Sequence, residues 1–123
     1  MVKQLTTIIL SLSIMTLPSI ALASNGSGKA SWYGPGFHNK KTASGERFNQ
    51  NGLSAASNSH KIGTRLRVTN KANGKSVIVK VNDTGGFSSA KYGYRKLDLS
   101  KGAFSKIANL GTGVINVTYE VVK

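Results

Sequence analysis

Hydrophobic and polar residues alternate along several short segments in the second half of the chain. Leu66 and Val68 alternate with polar residues in Thr64–Asn70, valines recur at every second position within Lys75–Asn82, and Val114–Val122 has the same period. A period of two is typical of a half-buried β-strand, because successive side chains point to opposite faces of a sheet. The pattern therefore predicts a domain built mainly from short strands.

Turn residues and shorter apolar runs define the remaining elements. Asn73-Gly74 is a strong hairpin signal, and Ser100 is a suitable N-cap for a short helix that ends near Asn109, with Gly111 just after it. We expect His38–Asn51 to be a long polar loop with one helical turn near Phe48. The predicted strands are Lys29–Tyr33, Leu53–Ser57, Thr64–Asn70, Lys75–Asn82, Arg95–Leu99 and Val114–Val122. In so small a β domain, closure into a barrel removes exposed strand edges.

The first part of the chain has a different pattern. Lys3 precedes the mostly apolar run Leu5–Leu17, and Ala21-Leu22-Ala23 forms an A-x-A site. This order predicts a secretory signal peptide over residues 1–23. A membrane anchor is the alternative, but the apolar run is shorter than the roughly 20 residues that span a bilayer. We expect a flexible leader over residues 24–28 and one domain over residues 29–123.

Composition narrows the possible partners and chemistry. The chain has 17 Lys+Arg residues, 4 Asp+Glu residues and no cysteine, which gives a formal net charge of +13. The lack of cysteine excludes disulfides, thiol catalysis and a lipoprotein anchor. The basic charge favours an anionic partner, and export makes that partner a cell-wall polymer or lipid headgroup rather than nucleic acid. The alternative is a solvated surface that aids solubility.

Three runs of residues are more specific than the composition. Ala30–Phe48 reads ASWYGPGFHNKKTASGERF, residues 82–87 read NDTGGF, and Lys96–Ser100 reads KLDLS. Together they resemble the rare lipoprotein A family, whose corresponding runs contain SWYG, FHG, TASGE, NDRGPF and IDLS. The resemblance implies an all-β fold, a six-stranded double-psi β-barrel with one short helix. It also implies a lytic transglycosylase, a lyase that cuts the MurNAc–GlcNAc β-1,4 bond of peptidoglycan without water and leaves a 1,6-anhydro sugar.

The resemblance assigns roles to the few carboxylates of the chain. Glu46 stands at the acid position of the family, and a lytic enzyme can use one carboxyl first as acid and then as base. Asp83 stands at the second functional carboxylate, and a turn-capping role is the alternative for it. Asp98 is expected to be structural. Glu120 lies outside the pattern.

Basic and aromatic residues near Glu46 are candidates for contact with the glycan. Trp32 and Phe37 are aromatic candidates, and packing inside the barrel is the alternative for them. The residues predicted to bind substrate are Tyr33, the preferred sugar-stacking residue, with His38, Lys41 and Arg47. A structural role at the base of the loop is the alternative for His38, and plain solvated charge is the alternative for Lys41 and Arg47.

The chain departs from the family pattern at two places. Ser57 replaces the functional histidine of the family, and His60 lies three residues further on. Thr84 and Gly86 replace the Arg and Pro of NDRGPF. A serine hydroxyl forms hydrogen bonds but carries no proton at neutral pH, so Ser57 is a doubtful member of the catalytic set.

Three functions therefore remain open from the sequence, and we favour the first. They are a lytic transglycosylase that uses Glu46 with Asp83, a non-catalytic glycan-binding protein like the expansins, and a secreted interaction protein such as a protease inhibitor. The two histidines show no metal-binding spacing, so we expect no metal and no cofactor. We expect a monomer that is periplasmic or secreted, binds peptidoglycan glycan strands, and neither binds nucleic acid nor stays inserted in a membrane.

Overall fold

The computed structural model describes residues 25–84 and 95–123, and six strands in these ranges close into a barrel. The elements are β1 (Gly26–Trp32), β2 (Ser54–Ser57), β3 (Arg65–Asn70), β4 (Ser76–Asp83), β5 (Arg95–Leu99), α1 (Lys101–Ile107) and β6 (Ile115–Val122). Two single 3-10 turns lie at Pro35–Phe37 and Leu110–Thr112. Around the barrel the order is β1-β5-β2-β4-β3-β6. The pairs β1/β5 and β2/β4 are parallel, and the other neighbours are antiparallel.

The alternating segments form the strands that the sequence predicts. In the β3–β4 hairpin, Leu66 pairs with Val79 and Val68 pairs with Val77, and all four side chains are buried. Gly74 in the hairpin turn has a φ of 76°, a left-handed conformation that favours glycine. The polar residues of both strands therefore lie together on the outer face of the barrel.

The first strand is longer than its sequence pattern predicts. β1 begins at Gly26, three residues before the predicted start at Lys29, and residues of the predicted leader pair with β6. A Cβ atom on Gly26 would lie 2.6 Å from the Tyr119 hydroxyl oxygen. Glycine at this position thus lets the first strand pass close to the Tyr119 ring.

The helix is shorter than predicted, although it begins where expected. Ser100 caps it and accepts a hydrogen bond from Ala103 N, as the sequence predicts. The helix ends at Ile107 rather than near Asn109. The prediction for Gly111 was wrong, because this residue lies within a 3-10 turn and the glycine with positive φ is Gly113. Among the residues that the structure describes, no helix is long and apolar enough to cross a membrane.

The long loop before β2 contains no helical turn near Phe48, contrary to the prediction. Its two arms instead form a narrow ladder, with a bridge between Lys41 and Arg47 and backbone hydrogen bonds from Asn39 N to Phe48 O and from Phe48 N to Lys40 O. Phe48 is buried against the outside of the barrel with Tyr33 and Ala56. This ladder gives an otherwise polar loop a fixed position on the barrel. The sequence also predicts a turn over residues 83–86 and an exposed loop over residues 88–94, and residues 85–94 lie outside the described ranges.

Candidate functional site

The TASGE segment forms a tight turn that presents Glu46. The Thr42 backbone N–H and hydroxyl both donate to the Glu46 carbonyl oxygen, at 2.8 and 2.9 Å. The Ser44 hydroxyl accepts from Glu46 N at 3.1 Å, and Gly45 has a φ of 91°. Thr42, Ser44 and Gly45 therefore have a structural reason in the motif, because two hydroxyls and one left-handed glycine close the turn.

The end of β4 fixes this turn to the barrel. Ala43 N donates to Asp83 Oδ1 at 2.9 Å, and Ser44 N donates to the Asn82 carbonyl oxygen at 3.1 Å. Asp83 Oδ1 also accepts from Thr84 N at 2.9 Å. Asp83 thus has the turn-capping contacts that the sequence analysis gave as its alternative role, and it also positions the loop that carries Glu46.

The Glu46 carboxylate is about half-exposed and forms an ion pair. Lys80 Nζ lies 3.0 Å from Glu46 Oε2, with side-chain exposures of 50% and 48%. Asn82 Nδ2 and the Ser44 hydroxyl lie 3.4 Å from Glu46 Oε1. The hydrogen bond from Lys80, followed by that from Asn82, lowers the pKa of Glu46 below its ordinary value. A general acid needs the opposite shift, so Glu46 rests here in its charged form.

Asn82 lies beneath the carboxylate with one atom unsatisfied. The residue is buried, and its Oδ1 atom has no hydrogen-bond partner within the described ranges, 25–84 and 95–123. If the Asn82 amide rotated by 180°, Oδ1 would face Glu46. In that orientation Oδ1 could accept a hydrogen bond from the protonated Glu46 carboxyl. Asn82 is therefore able to meet either protonation state of Glu46.

The aromatic residues are placed differently from the sequence prediction. Tyr33 is only 7% exposed, stacks on Phe48 with ring centroids 4.4 Å apart, and donates its hydroxyl to Asp83 Oδ2 at 3.0 Å. Burial, with the nearby Asp83 charge, raises the pKa of Tyr33 well above its ordinary value. The sugar-stacking role expected for Tyr33 does not fit this packed position. Phe37, packed edge-on against Tyr33, is by contrast 53% exposed.

The other predicted substrate-binding residues lie on the same loop. His38 Nδ1 accepts from Gln50 N at 3.2 Å, which matches the structural role given as its alternative. Arg47 donates to the Asn39 carbonyl oxygen at 2.9 Å. Lys41 and Arg47 are both exposed beside Glu46, so their charges are available to a ligand.

Ser57 lies in a separate hydrogen-bond network. It is 1% exposed, and its hydroxyl accepts from Ser59 N at 3.1 Å and lies 3.3 Å from His60 Nδ1. The His60 ring in turn packs edge-on against Tyr119 at 5.4 Å. The contacts described for Glu46 and Asp83 do not include Ser57, which instead stabilises the turn that follows β2.

The remaining carboxylates have structural partners. Asp98 accepts from the Ser31 hydroxyl at 3.1 Å across the β1/β5 pair. Glu120 pairs with Arg67 at 3.0 Å on the outer face of the barrel. Over the described parts of the chain, no group of three or more His, Cys, Asp or Glu residues is placed to hold a metal ion.

The site contains two residues that the sequence did not predict as members of it, Lys80 and Asn82. Lys80 was one of many lysines, and only the fold brings it to Glu46 across 34 positions of sequence. Asn82 offered a signal because it opens the NDTGGF run. Two cavities of about 360 and 390 Å³ lie elsewhere on the barrel, and neither is lined by Glu46 or Asp83.

The closed six-stranded barrel and the clamped TASGE turn place this molecule among the double-psi β-barrel proteins, as predicted. Its sequence matches the lytic transglycolase family over residues 25–119, and the chain belongs to that family. The barrel also resembles solved structures at low sequence identity, which supports the fold alone. A papain inhibitor from Streptomyces superposes with a TM-score of 0.64 at 23% identity, covering 80% of this chain and 94% of the inhibitor. A Clavibacter michiganensis expansin in complex with cellohexaose gives 0.61 at 23% identity, covering 80% and 50%.

Curated relatives are similar over most of this chain. A relative from Synechocystis is 52% identical over 78% of this chain and 29% of its own length. Relatives from Campylobacter jejuni and Neisseria meningitidis, both named endolytic peptidoglycan transglycosylase RlpA, are 47% and 45% identical over 84% and 77% of this chain. This chain spans 36% and 38% of those two proteins. The similarity therefore concerns about a third of each relative, and its family assignment agrees with the resemblance found in the sequence.

Proposed function

We propose that this protein is a lytic transglycosylase that cleaves the glycan strands of peptidoglycan. The names of the Campylobacter and Neisseria relatives and the family match support this reaction. The observation that carries the proposal is the Glu46 carboxylate, half-exposed on a turn that Asn82 and Asp83 hold in place. A rigid carboxylate that solvent can reach is what a large polymeric substrate requires.

In the proposed reaction one carboxyl group acts twice. Glu46 in its acid form gives its proton to the bridging oxygen as the bond from that oxygen to the MurNAc anomeric carbon breaks. The positive charge that develops at this carbon is met by the sugar's own C6 oxygen, which forms the new bond. The proton of that hydroxyl passes to the Glu46 carboxylate, which regenerates the acid without consuming water.

The neighbours of Glu46 have supporting roles in this proposal. Asp83 positions the turn and adds negative charge near the developing cation. Lys41 and Arg47 bind polar or anionic groups of the glycan, and Phe37 offers an exposed ring to a sugar face. His38 contributes by fixing the loop. Ser57 takes no direct part.

We further propose that residues 1–23 direct export, so that the protein meets its substrate in the periplasm or outside the cell. The pattern of Lys3, the apolar run and the A-x-A site supports this location. The partner is the glycan strand, and the protein acts as a monomer without an inserted membrane segment.

The reaction is tested by product analysis. Whole peptidoglycan and peptide-stripped glycan strands are each incubated with the protein, and the released fragments are weighed by mass spectrometry. The proposal predicts fragments that end in 1,6-anhydro-MurNAc. A folded protein that releases no such fragments from either substrate contradicts it.

A second candidate function is non-catalytic binding of the glycan. Two observations favour it, namely the buried serine at the family's histidine position and the ion pair that keeps Glu46 charged. This alternative predicts binding to intact sacculi that the substitution Glu46→Gln leaves unchanged, together with no anhydro product. Release of anhydro fragments by the unaltered protein rules this alternative out.

A further inference from the structure

Two cations lie opposite each other on the outer face of the β3–β4 hairpin. Arg65 and Lys80 are register partners in this antiparallel pair, so both side chains lie on the same face, and both are exposed. Side chains at directly opposed positions approach closely across the ladder. The hairpin therefore presents two adjacent positive charges at the end of β4 that carries the candidate site.

The two charges are not compensated equally. Lys80 pairs with Glu46 at 3.0 Å, whereas the Arg65 guanidinium has no ion pair or side-chain hydrogen bond within residues 25–84 and 95–123. Like charges at opposed positions of a ladder disfavour the pairing. Arg67 lies two residues further along the same face, and its charge is compensated by an ion pair with Glu120 on β6 at 3.0 Å. Glu46 thus compensates the charge of Lys80, and within the described residues no carboxylate compensates the charge of Arg65.

We propose that Arg65 and Lys80 form a carboxylate-binding subsite beside Glu46, in which an anionic group of the glycan joins the two cations and draws Lys80 away from Glu46. This inference rests on the proposed function, since it assigns part of the same substrate to a subsite next to the acid. The subsite lies on open surface, in keeping with a long polymer that crosses the barrel.

Release of Lys80 changes the state of Glu46 in the direction that acid catalysis needs. The hydrogen bond and charge of Lys80 hold the pKa of Glu46 low, and their removal lets that pKa rise. Among the described residues, the other charged groups near Glu46 are Lys40, Lys41 and Arg47 on its own loop and Asp83 on β4. A substrate carboxylate therefore both binds the protein and favours protonation of the acid.

The glycan can supply carboxylates from two sources. Each MurNAc unit of a peptide-stripped strand has a free lactyl carboxylate, whereas a peptide-bearing strand has carboxylates on its stem peptides. Both sources offer the same planar anion, which an arginine can bind through two hydrogen bonds. The experiment therefore uses both kinds of strand.

The test compares binding of native and amidated strands. The Glu46→Gln protein, which leaves the ligand intact, is titrated calorimetrically with soluble peptide-stripped strands and with peptide-bearing strands. Each preparation is used before and after carbodiimide-mediated amidation of its carboxylates. We expect amidation to weaken binding about tenfold, the scale of a lost charge-assisted contact, for the kind of strand whose carboxylate the subsite takes.

The discriminating variants are Arg65→Gln and Lys80→Gln, each added to Glu46→Gln. Either variant should show a clearly smaller difference in affinity between native and amidated strands than Glu46→Gln alone. Lys75→Gln, an exposed lysine just before the other end of β4, removes the same charge and should keep the full discrimination. Equal binding of native and amidated strands of both kinds by the Glu46→Gln protein overturns the subsite, as does an equal loss in Lys75→Gln.

This binding test is independent of the product analysis. Discrimination between native and amidated strands without any anhydro product would uphold the subsite and contradict the lytic reaction. Anhydro products without discrimination would uphold the reaction and contradict the subsite.

Discussion

The Glu46 carboxylate and the Lys80 ammonium lie 3.0 Å apart although both side chains are about half in solvent. Exposed ion pairs contribute little to stability because water screens them and two long side chains must be ordered. The pair therefore matters less for folding than for the protonation state of the carboxylate. Its role at the residue scale is to set how readily Glu46 takes up a proton.

Replacing the lysine should make this effect visible. In Lys80→Gln the main cause of the lowered pKa is gone, so the titration midpoint of Glu46 should move up toward the ordinary value for glutamate. In the unaltered protein the ion pair makes a small contribution to the free energy of unfolding, and this contribution is lost as pH falls through the lowered pKa of Glu46. The Lys80→Gln variant lacks this contribution at every pH. An NMR titration of the Glu46 side-chain carboxyl measures the shift. Arg67→Gln, which breaks the other exposed pair, should leave that midpoint in place, and an unmoved midpoint in Lys80→Gln contradicts this account.

Ser57 provides a second prediction at the residue scale. Ser57→Ala removes the acceptor of the Ser59 N–H, and should lower the free energy of unfolding by about 1 kcal/mol. The rate of anhydro-product release should stay the same, because Ser57 does not contact Glu46. Urea denaturation and the product assay measure the two effects. A large loss of activity in a folded Ser57→Ala protein would return this residue to the catalytic set.

At the scale of elements, the start of α1 joins the helix to the segment before β2. The Ser100 hydroxyl is fully buried, accepts from Ala103 N and Ser54 N, and donates to the Gly52 carbonyl oxygen at 2.6 Å. One side chain therefore serves as helix cap and as the connection between two neighbouring elements. The helix in turn buries Phe104 and Ile107 in the core of the barrel.

This arrangement predicts a strong effect from one small substitution. Ser100→Ala should destabilise the protein by about 2–3 kcal/mol, because it removes a helix cap and leaves buried polar groups without partners. Ser105→Ala is the matched control on the same helix, since the Ser105 hydroxyl is exposed and bonds only locally to Gly102 O. The denaturant midpoint of each variant measures the difference. Equal midpoints for the two variants would contradict the role assigned to Ser100.

The elements differ in how far the sequence could predict them. β3 and β4 follow from their alternating residues, because one face of each strand meets the core and the other meets water. The loop before β2 has no such period, and its ladder depends on the burial of Phe48 against Tyr33, a contact between distant segments. The early start of β1 likewise depends on Tyr119, whose position over Gly26 no local pattern could indicate.

At the level of the whole molecule, the excess of basic over acidic residues should govern encounter with an anionic wall. Without residues 1–23, which contain one of the 17 Lys+Arg and none of the 4 Asp+Glu residues, the formal net charge is 16 − 4 = +12. Co-sedimentation with isolated sacculi measures this binding. The bound fraction should fall steeply as the salt concentration rises, because salt screens long-range attraction. The Glu46→Gln protein should sediment at low salt as the unaltered protein does. Binding that is indifferent to salt would show that the net charge has no part in the encounter.

The sequence predicts the strands of the barrel through their alternating pattern. It also indicates Glu46 as the candidate acid through the TASGE motif. It does not predict the electrostatics of the site. The pairing of Lys80 with Glu46 depends on the loop that is fixed to the end of β4, and the position of Arg65 opposite Lys80 depends on strand register. The packed position of Tyr33 also depends on tertiary contacts, and the motif that contains it is equally compatible with an exposed ring.

The catalytic role of Glu46 is tested by comparing two carboxylates in one assay. The initial rate of 1,6-anhydro-MurNAc release from peptidoglycan is measured by mass spectrometry for the unaltered protein, Glu46→Gln and Glu120→Gln. Loss of an essential acid–base group lowers rates by about 10²–10⁴-fold, so we predict a loss of this size in Glu46→Gln. Glu120→Gln breaks only an exposed pair and should keep the full rate. Equal rates in Glu46→Gln and the unaltered protein would contradict the assignment of Glu46 as the catalytic residue.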